Sequence, residues 1–315
     1  MTRREMLSLS ALLSAGFLAK GVSPLQAADP AAVRKKILFF TKSAGYEHSV
    51  IKRKEGELSY AEKILSAAGP SAGLDFTFSK DGSLFSPEYL DGFDAIFFYT
   101  TGDLGAVGTD GQPPVSVEGK KALLDAVAGG KGFVGCHSAS DTYHTGETGE
   151  KPSKSIASRY HNYGEKADAF IRMLGGEFIK HGEQQKTRLR VADAAFPGAV
   201  AWDHAELHEE WYSLKDFAPD LHVILVQETA GMVGPVYQRP AYPCTWARTH
   251  ERGRVFYTSL GHREDVWSNP KFQELLLGGL RWAAGAIEAE ISPNLEKAAP
   301  GYAEIPPQDP VKKSG

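Results

Sequence analysis

Apolar residues fall in short runs separated by helical spacings, and the alternation sets the fold class. Ile37-Leu38-Phe39-Phe40, after Lys36, is apolar at every position, as strands buried on both faces are. Lys54 to Ala67 then spaces Leu58, Ala61, Ile64 and Leu65 as a helix does. Asp75-Phe76-Thr77-Phe78 alternates like a strand, and Ala95-Ile96-Phe97-Phe98-Tyr99 is another buried run. Val117 to Ala128 reads as a helix stopped by Gly129-Gly130, and Gly132-Phe133-Val134-Gly135-Cys136 as the next strand. This order predicts an α/β fold: a doubly wound, mostly parallel sheet with helices on both faces, in one domain.

Further along, residues 139–165 are polar and rich in Gly, Ser, Thr and Tyr, which predicts a long surface loop. A helix is expected near Glu165–Leu174, and strands at Thr187–Val191, His222–Glu228, Pro243–Arg248 and Arg254–Leu260. Asn269-Pro270 opens a last amphipathic helix carrying Phe272, Leu275, Leu276, Leu280 and Trp282. Residues 287–315 are rich in Pro and charge and are expected to wrap the surface or fray.

The first 28 residues belong to a different class. Arg3-Arg4 precede a weakly apolar stretch of about 12 residues, too short to span a membrane, and Gln26-Ala27-Ala28 offers small residues for cleavage. This is the pattern of a signal peptide, and the paired arginines suggest the twin-arginine type. The expectation is an exported protein, periplasmic or extracellular, with a domain over 36–286 and no other segment able to span a membrane. Removing the leader takes away Arg3, Arg4, Lys20 and Glu5, and the formal net charge goes from −4 to −6. A mildly acidic chain of this kind does not suggest nucleic acid as a partner. Two cysteines are too few for a disulfide framework or a cysteine-rich zinc site.

In open α/β sheets ligands gather past the C-terminal ends of strands. His48, His137 and His262 each follow a predicted strand there, with Asp141 four residues after His137. His181 and Glu209-Glu210 lie on connections. Imidazoles and carboxylates of this kind suit either a divalent metal site with an open position or metal-free general acid–base work, and spacing leaves both open. His204 and His208 would make an i,i+4 ligand pair only on a helix. Gly135-Cys136-His137-Ser138-Ala139 resembles a nucleophile elbow, but its apex is His137. Cys136 then faces the core as an inert thiol, with Cys244 a comparable case. The glycines at 102, 105, 108 and 111 make no phosphate loop or dinucleotide fingerprint, so no nucleotide cofactor is expected.

Several stretches resemble the ThuA-like family, named for trehalose utilisation, which has a class I glutamine amidotransferase-like, flavodoxin-like fold. They are Gly45-Tyr46-Glu47-His48-Ser49-Val50-Ile51, Gly132 to Thr142, Glu209-Glu210-Trp211-Tyr212, and Gly253 to His262 running on through Trp267 to Gly285. The resemblance implies a pocket of His48, His137, His181, Glu210 and His262. It also puts His137 where amidotransferases carry their catalytic Cys, which counts against glutaminase chemistry. Departures are Cys136 for an aliphatic residue, Glu209 for Asp, and an insert-like segment Thr142–Tyr163. The implied activity is on carbohydrates, particularly 3-keto-glycosides, by bond cleavage or isomerisation. His137 or Glu210 would be the base, with Asp141 in the catalytic set. His48, His181 and His262 would hold one divalent metal, zinc or manganese, or stabilise an oxyanion. Tyr46, Trp211, Tyr212 and Arg263 would bind the substrate. The alternative is a non-catalytic carbohydrate- or partner-binding domain on the same fold.

Overall fold

The computed structural model describes residues 34–146, 156–203 and 205–308. The expected signal peptide lies outside them, as do His204 and the last residues of the tail. Eleven strands are found among the described residues. They are β1 Lys35–Phe40, β2 Leu74–Ser79, β3 Ala95–Phe98, β4 Gly132–Cys136, β5 Glu177–His181, β6 Gln185–Val191, β7 Glu206–Glu209, β8 Tyr212–Lys215, β9 His222–Gln227, β10 Tyr242–His250 and β11 Gly253–Thr258. The helices are α1 Tyr60–Ala68, α2 Pro87–Asp91, α3 Val117–Ala128, α4 Ala169–Leu174, α5 Glu264–Trp267, α6 Pro270–Ala283 and α7 Leu295–Ala298.

Nine strands form one sheet in the order β2-β1-β3-β4-β11-β10-β9-β6-β7. From β2 to β11 every pairing is parallel, with the strand order of a flavodoxin-like sheet. Beyond β11 the sheet continues through antiparallel pairings to β7. Strands β5 and β8 make a separate antiparallel pair. The doubly wound, mostly parallel class expected from the pattern is therefore present, with an antiparallel extension at one edge.

Burial on both faces explains the unbroken apolar runs. Ile37 and Phe39 of β1 pack into one core with α1, α5 and α6. Leu38 and Phe40 pack into the other with α2, α3, α4 and α7. Two helices start later than their apolar spacing suggested, because capping decides the start. Ser59 accepts from the Glu62 N–H while Glu62 reaches back to the Ser59 N–H, so α1 begins at Tyr60 rather than Lys54. Asp168 caps α4 in the same sense, moving its start from Glu165 to Ala169.

The expected surface loop at 139–165 is corrected in its first part, whereas residues 147–155 lie outside the described residues and 161–165 are half-buried or exposed. His137–Asp141 is a 3-10 turn, and Thr142, Tyr143, His144 and Thr145 are buried. The tail wraps rather than frays as far as residue 308. Leu295 and Ala298 are buried, and the Asn294 amide accepts from the Val223 N–H and donates to its carbonyl. His208 lies on a strand, which removes the helical geometry its pairing with His204 required. No helix among the described residues is long and apolar enough to cross a membrane.

Candidate functional site

Past the C-terminal ends of β1, β4 and β11 the chain turns sharply and presents His48, His137 and His262. His48 sits at the start of a 3-10 turn, Ser49–Ile51, and its loop is fastened by Thr101 and Thr109 hydroxyls that donate to the Tyr46 and Gly45 carbonyls. His137 follows β4 directly with φ of 45°, the left-handed conformation typical of a strained elbow apex. Gly261 before His262 has φ of 113°, and a Cβ there would come within 2.9 Å of the Cys136 sulfur, so the close approach of the two turns requires glycine. Glu210 reaches the same point from the end of β7.

The ligand atoms of His48, His137, Glu210 and His262 all lie within 4.8 Å of one another. Glu210 Oε2 is 3.0 Å from His262 Nδ1 and 3.4 Å from His137 Nε2, and the two ring nitrogens are 3.3 Å apart. A tetrahedral zinc with bonds of about 2.0–2.1 Å sets its ligand atoms roughly 3.3–3.4 Å apart; the His137, Glu210 and His262 atoms stand near that spacing, and His48 completes the set within 4.8 Å. His48 Nδ1 is buried and has no hydrogen-bond partner among the described residues. A buried donor or acceptor left in that state points to a missing partner.

Tautomers follow from the partners. His137 Nδ1 lies 2.7 Å from the Ser259 carbonyl, which can only accept, so Nδ1 carries the hydrogen; Nε2 faces the cluster, where it donates to Glu210 when the ring is protonated and offers a lone pair when the ring is neutral. Burial lowers the pKa of His48 well below its ordinary value, with His137 and His262 adding to the effect. Burial also lowers His137, against the pull of Glu210. For Glu210 burial acts upward, but hydrogen bonds to His137 and His262 outweigh it and hold the carboxyl well below the usual range. Three imidazoles around one carboxylate form a donor set suited to zinc or a similar divalent ion.

Glu209, adjacent in sequence, faces elsewhere. Its Oε1 accepts from the Glu210 N–H at 2.8 Å, and its Oε2 accepts from the Gly261 and His262 N–H groups at 2.9 and 3.2 Å. Burial pushes its pKa up to about 7, opposed by these backbone donors.

The other expected site residues divide. Tyr212 lies against His137, ring centroids 4.1 Å apart, and Tyr46, 67% exposed, stands edge-on to His48 at the mouth. Arg263 lines an open depression of about 490 Å³ with Ser49, Gln184, His262, Glu264 and Asp265, held by Asp265 and Gln184. His181, expected as a ligand, stays outside the four-residue cluster. Its ring is exposed, and its Nδ1 is 3.0 Å from the Gly182 carbonyl and 3.3 Å from Glu210 Oε1. His137, expected as a base, stands within the four-residue cluster. Asp141 turns away to pair with His144 and Arg159. Trp211 is fully buried with its indole N–H on the Gln185 carbonyl, so its face cannot stack on a ligand. Cys136 and Cys244 are free, buried thiols, and burial raises both. The Ser259 carbonyl and the Glu209 brace are parts that residue type alone did not reveal.

Fold and site together define an α/β protein with a histidine–carboxylate centre at the C-terminal edge of a flavodoxin-like sheet. Residues 36–283 match the sequence profile of the ThuA family, described as trehalose utilisation, and the chain belongs to that family. Among solved structures it is similar to a ThuA-like protein from Bacteroides uniformis, at 16% identity and a TM-score of 0.56, over 82% of this chain and 94% of that one. A ThuA-like protein from Parabacteroides merdae is similar at 16% identity and a TM-score of 0.53, over 82% and 92%. At that identity the likeness concerns the fold. No curated protein matches the sequence.

Proposed function

We propose that this is an exported carbohydrate-active enzyme whose His48–His137–Glu210–His262 centre holds one zinc or manganese ion. It acts by acid–base chemistry on sugars, with 3-keto-glycosides the substrates its donors suit best. The observation that carries the reading is the convergence of four ligand atoms within 4.8 Å beside a buried, unpartnered His48 nitrogen. The family's description as trehalose utilisation supports a sugar substrate. So does a rim of hydrogen-bonding side chains, Ser49, Gln184, Arg263 and Asp265.

A bound divalent ion supplies polarisation of a substrate oxygen. The chain's own residues supply the remainder. Ser259 keeps the His137 Nε2 lone pair aimed inward, and Tyr212 holds the ring from behind. Glu210 turns Oε2 to the imidazoles and Oε1 outward to His181, so Oε1 is the oxygen placed to take a proton. A C3 ketone acidifies the C2 proton of the sugar. Transfer of that proton to Glu210 leaves an enolate, whose collapse breaks the C1–O bond. The departing oxygen takes the electron pair and then the proton from Glu210, and water added across the new double bond completes net hydrolysis. Reprotonation of C2 from the opposite face instead inverts that carbon and gives isomerisation.

The test is elemental analysis of mature protein purified without a chelating column, followed by a screen of oxidised and ordinary glycosides. About one ion per chain, lost in His262→Gln together with turnover, is the expected result. Turnover without any ion, even after supplying several, would leave metal-free acid–base catalysis. Glycoside binding with neither ion nor turnover would make the protein a binding domain.

A further inference from the structure

Glu210 and His262 reach the centre from distant parts of the sheet. Strand β7, which ends at Glu209, is four places from β11 in the strand order. At about 4.8 Å per strand, four steps separate them by roughly 19 Å in a flat sheet. In the folded chain the Glu210 N–H nonetheless lies beside the Gly261–His262 turn, since one carboxylate accepts from both. Between the two stands the Glu209 carboxylate, which accepts from three backbone N–H groups, one on the first segment and two on the second. Glu209 is fully buried and has no ion-pair partner among the described residues. On its far side the Gly261 carbonyl accepts from the Tyr99 hydroxyl and the Trp267 indole N–H, so that peptide is held from both directions.

We propose that Glu209 is a positioning residue: its two oxygens tie the Glu210 backbone to the Gly261–His262 backbone and so set the spacing of the Glu210 and His262 ligand atoms. The role needs two acceptor oxygens. A carboxylate has them, whereas a glutamine of the same size accepts on one side and turns an N–H₂ against a backbone donor on the other. Groups that orient ligands in this way typically account for 10–100-fold in metal affinity or activity.

The inference rests on the metal reading above, and the experiment separates the two. Zinc affinity of the mature protein, Glu209→Gln and Glu209→Asp is measured by competition with a chromophoric chelator. Hydrogen exchange is followed in peptides covering 206–212 and 259–264. The expected result is that Gln, which keeps the volume, weakens zinc about 10–100-fold while the unfolding midpoint stays close to that of the parent. Asp, which keeps both oxygens, retains more affinity than Gln, and the Gln variant exchanges faster in both peptides. Equal affinity in Gln and parent, or Gln outperforming Asp, would show that Glu209 only fills space and would overturn the proposal. If the parent binds no zinc, the metal reading falls and the exchange data judge Glu209 alone. Faster exchange in both peptides sustains the tie, and unchanged exchange removes it.

Discussion

Replacing Glu177 by Gln removes a charge from the middle of a buried network that supports the site from behind. Glu177 opens β5 and Lys215 closes β8, and the two are cross-strand neighbours with Nζ 2.7 Å from Oε2. The other oxygen, Oε1, accepts from His144 Nδ1 at 2.8 Å and from the Thr145 N–H at 3.1 Å. His144 Nε2 in turn bonds Asp141, and Lys215 also reaches Asp216. The network thus clamps the β5–β8 pair to the segment after the His137 elbow, and β8 begins with Tyr212, the ring behind His137. Burial works to raise Glu177, but His144 and Lys215 outweigh it and hold the carboxyl at about 2 against an ordinary 4.5. At about 1.4 kcal/mol per tenfold change in proton affinity, this is worth about 3 kcal/mol. Removing one member of a buried pair costs about 3–5 kcal/mol by an independent route. At about 0.6 kcal/mol per kelvin of unfolding entropy for a chain of this size, a loss of about 3 kcal/mol lowers the unfolding midpoint by about 5 °C.

The pH dependence provides the sharper check. A depressed carboxyl contributes fully above its unfolded value of 4.5, and the contribution is lost as pH falls from there towards about 2. His144 moves the other way. Burial lowers it, but Asp141 and Glu177 outweigh burial and raise it above its ordinary 6.5. Its contribution is complete below 6.5 and is lost as pH rises through the folded value. Both terms are therefore present between about pH 4.5 and 6.5. Midpoints followed by circular dichroism at pH 3, 5.5 and 8 should show the largest gap between parent and Glu177→Gln at pH 5.5. A gap under about 2 °C at that pH, or one equally large at pH 3, would refute the ion-pair reasoning.

Three further outcomes are expected. His137→Asn suits the left-handed backbone, so the variant should keep an unfolding midpoint within a few degrees of the parent while losing its bound ion and turnover; an unchanged ion content by elemental analysis would contradict this. Native protein should resist a thiol reagent at both Cys136 and Cys244 and react at both once denatured, because both thiols are buried and raised; rapid labelling of the folded chain would exclude the inert reading. Tyr46→Ala, at an exposed rim position, should change stability by no more than about 0.5 kcal/mol and raise KM several-fold with kcat little altered, as steady-state kinetics would show.

The parallel half of the sheet was legible because β1, β3 and β4 are buried on both faces and so carry apolar runs, while β2 at the edge alternates. The histidines could be found because ligand-bearing turns follow such strands. Strands β5 and β8 hid from the same reading. Glu-Phe-Ile-Lys-His and Tyr-Ser-Leu-Lys look half-polar, yet Glu177 and Lys215 are buried because each neutralises the other. Hydrophobic periodicity cannot register a charge whose burial depends on a partner 38 residues away. Asp141 shows the converse. Four residues after His137 it seemed close enough to share the chemistry, but the 3-10 turn carries it round to His144.

The run Glu209-Glu210-Trp211-Tyr212 sets the limit most clearly. Glu209 is buried on backbone donors, Glu210 opens towards the imidazoles, Trp211 enters the core and Tyr212 backs His137. Residue type separates none of these roles: the two carboxylates are identical in sequence, and either aromatic could stack on a sugar. What separates them is the end of β7. Within the strand, neighbours alternate between faces; past it, the turn sends one side chain to each of several surroundings, and only the positions of β11 and β8 decide which. The roles of Glu209 and Glu210 are therefore properties of strand packing four places across the sheet, and exchanging the assignments would require rebuilding the Gly261–His262 turn rather than altering either glutamate.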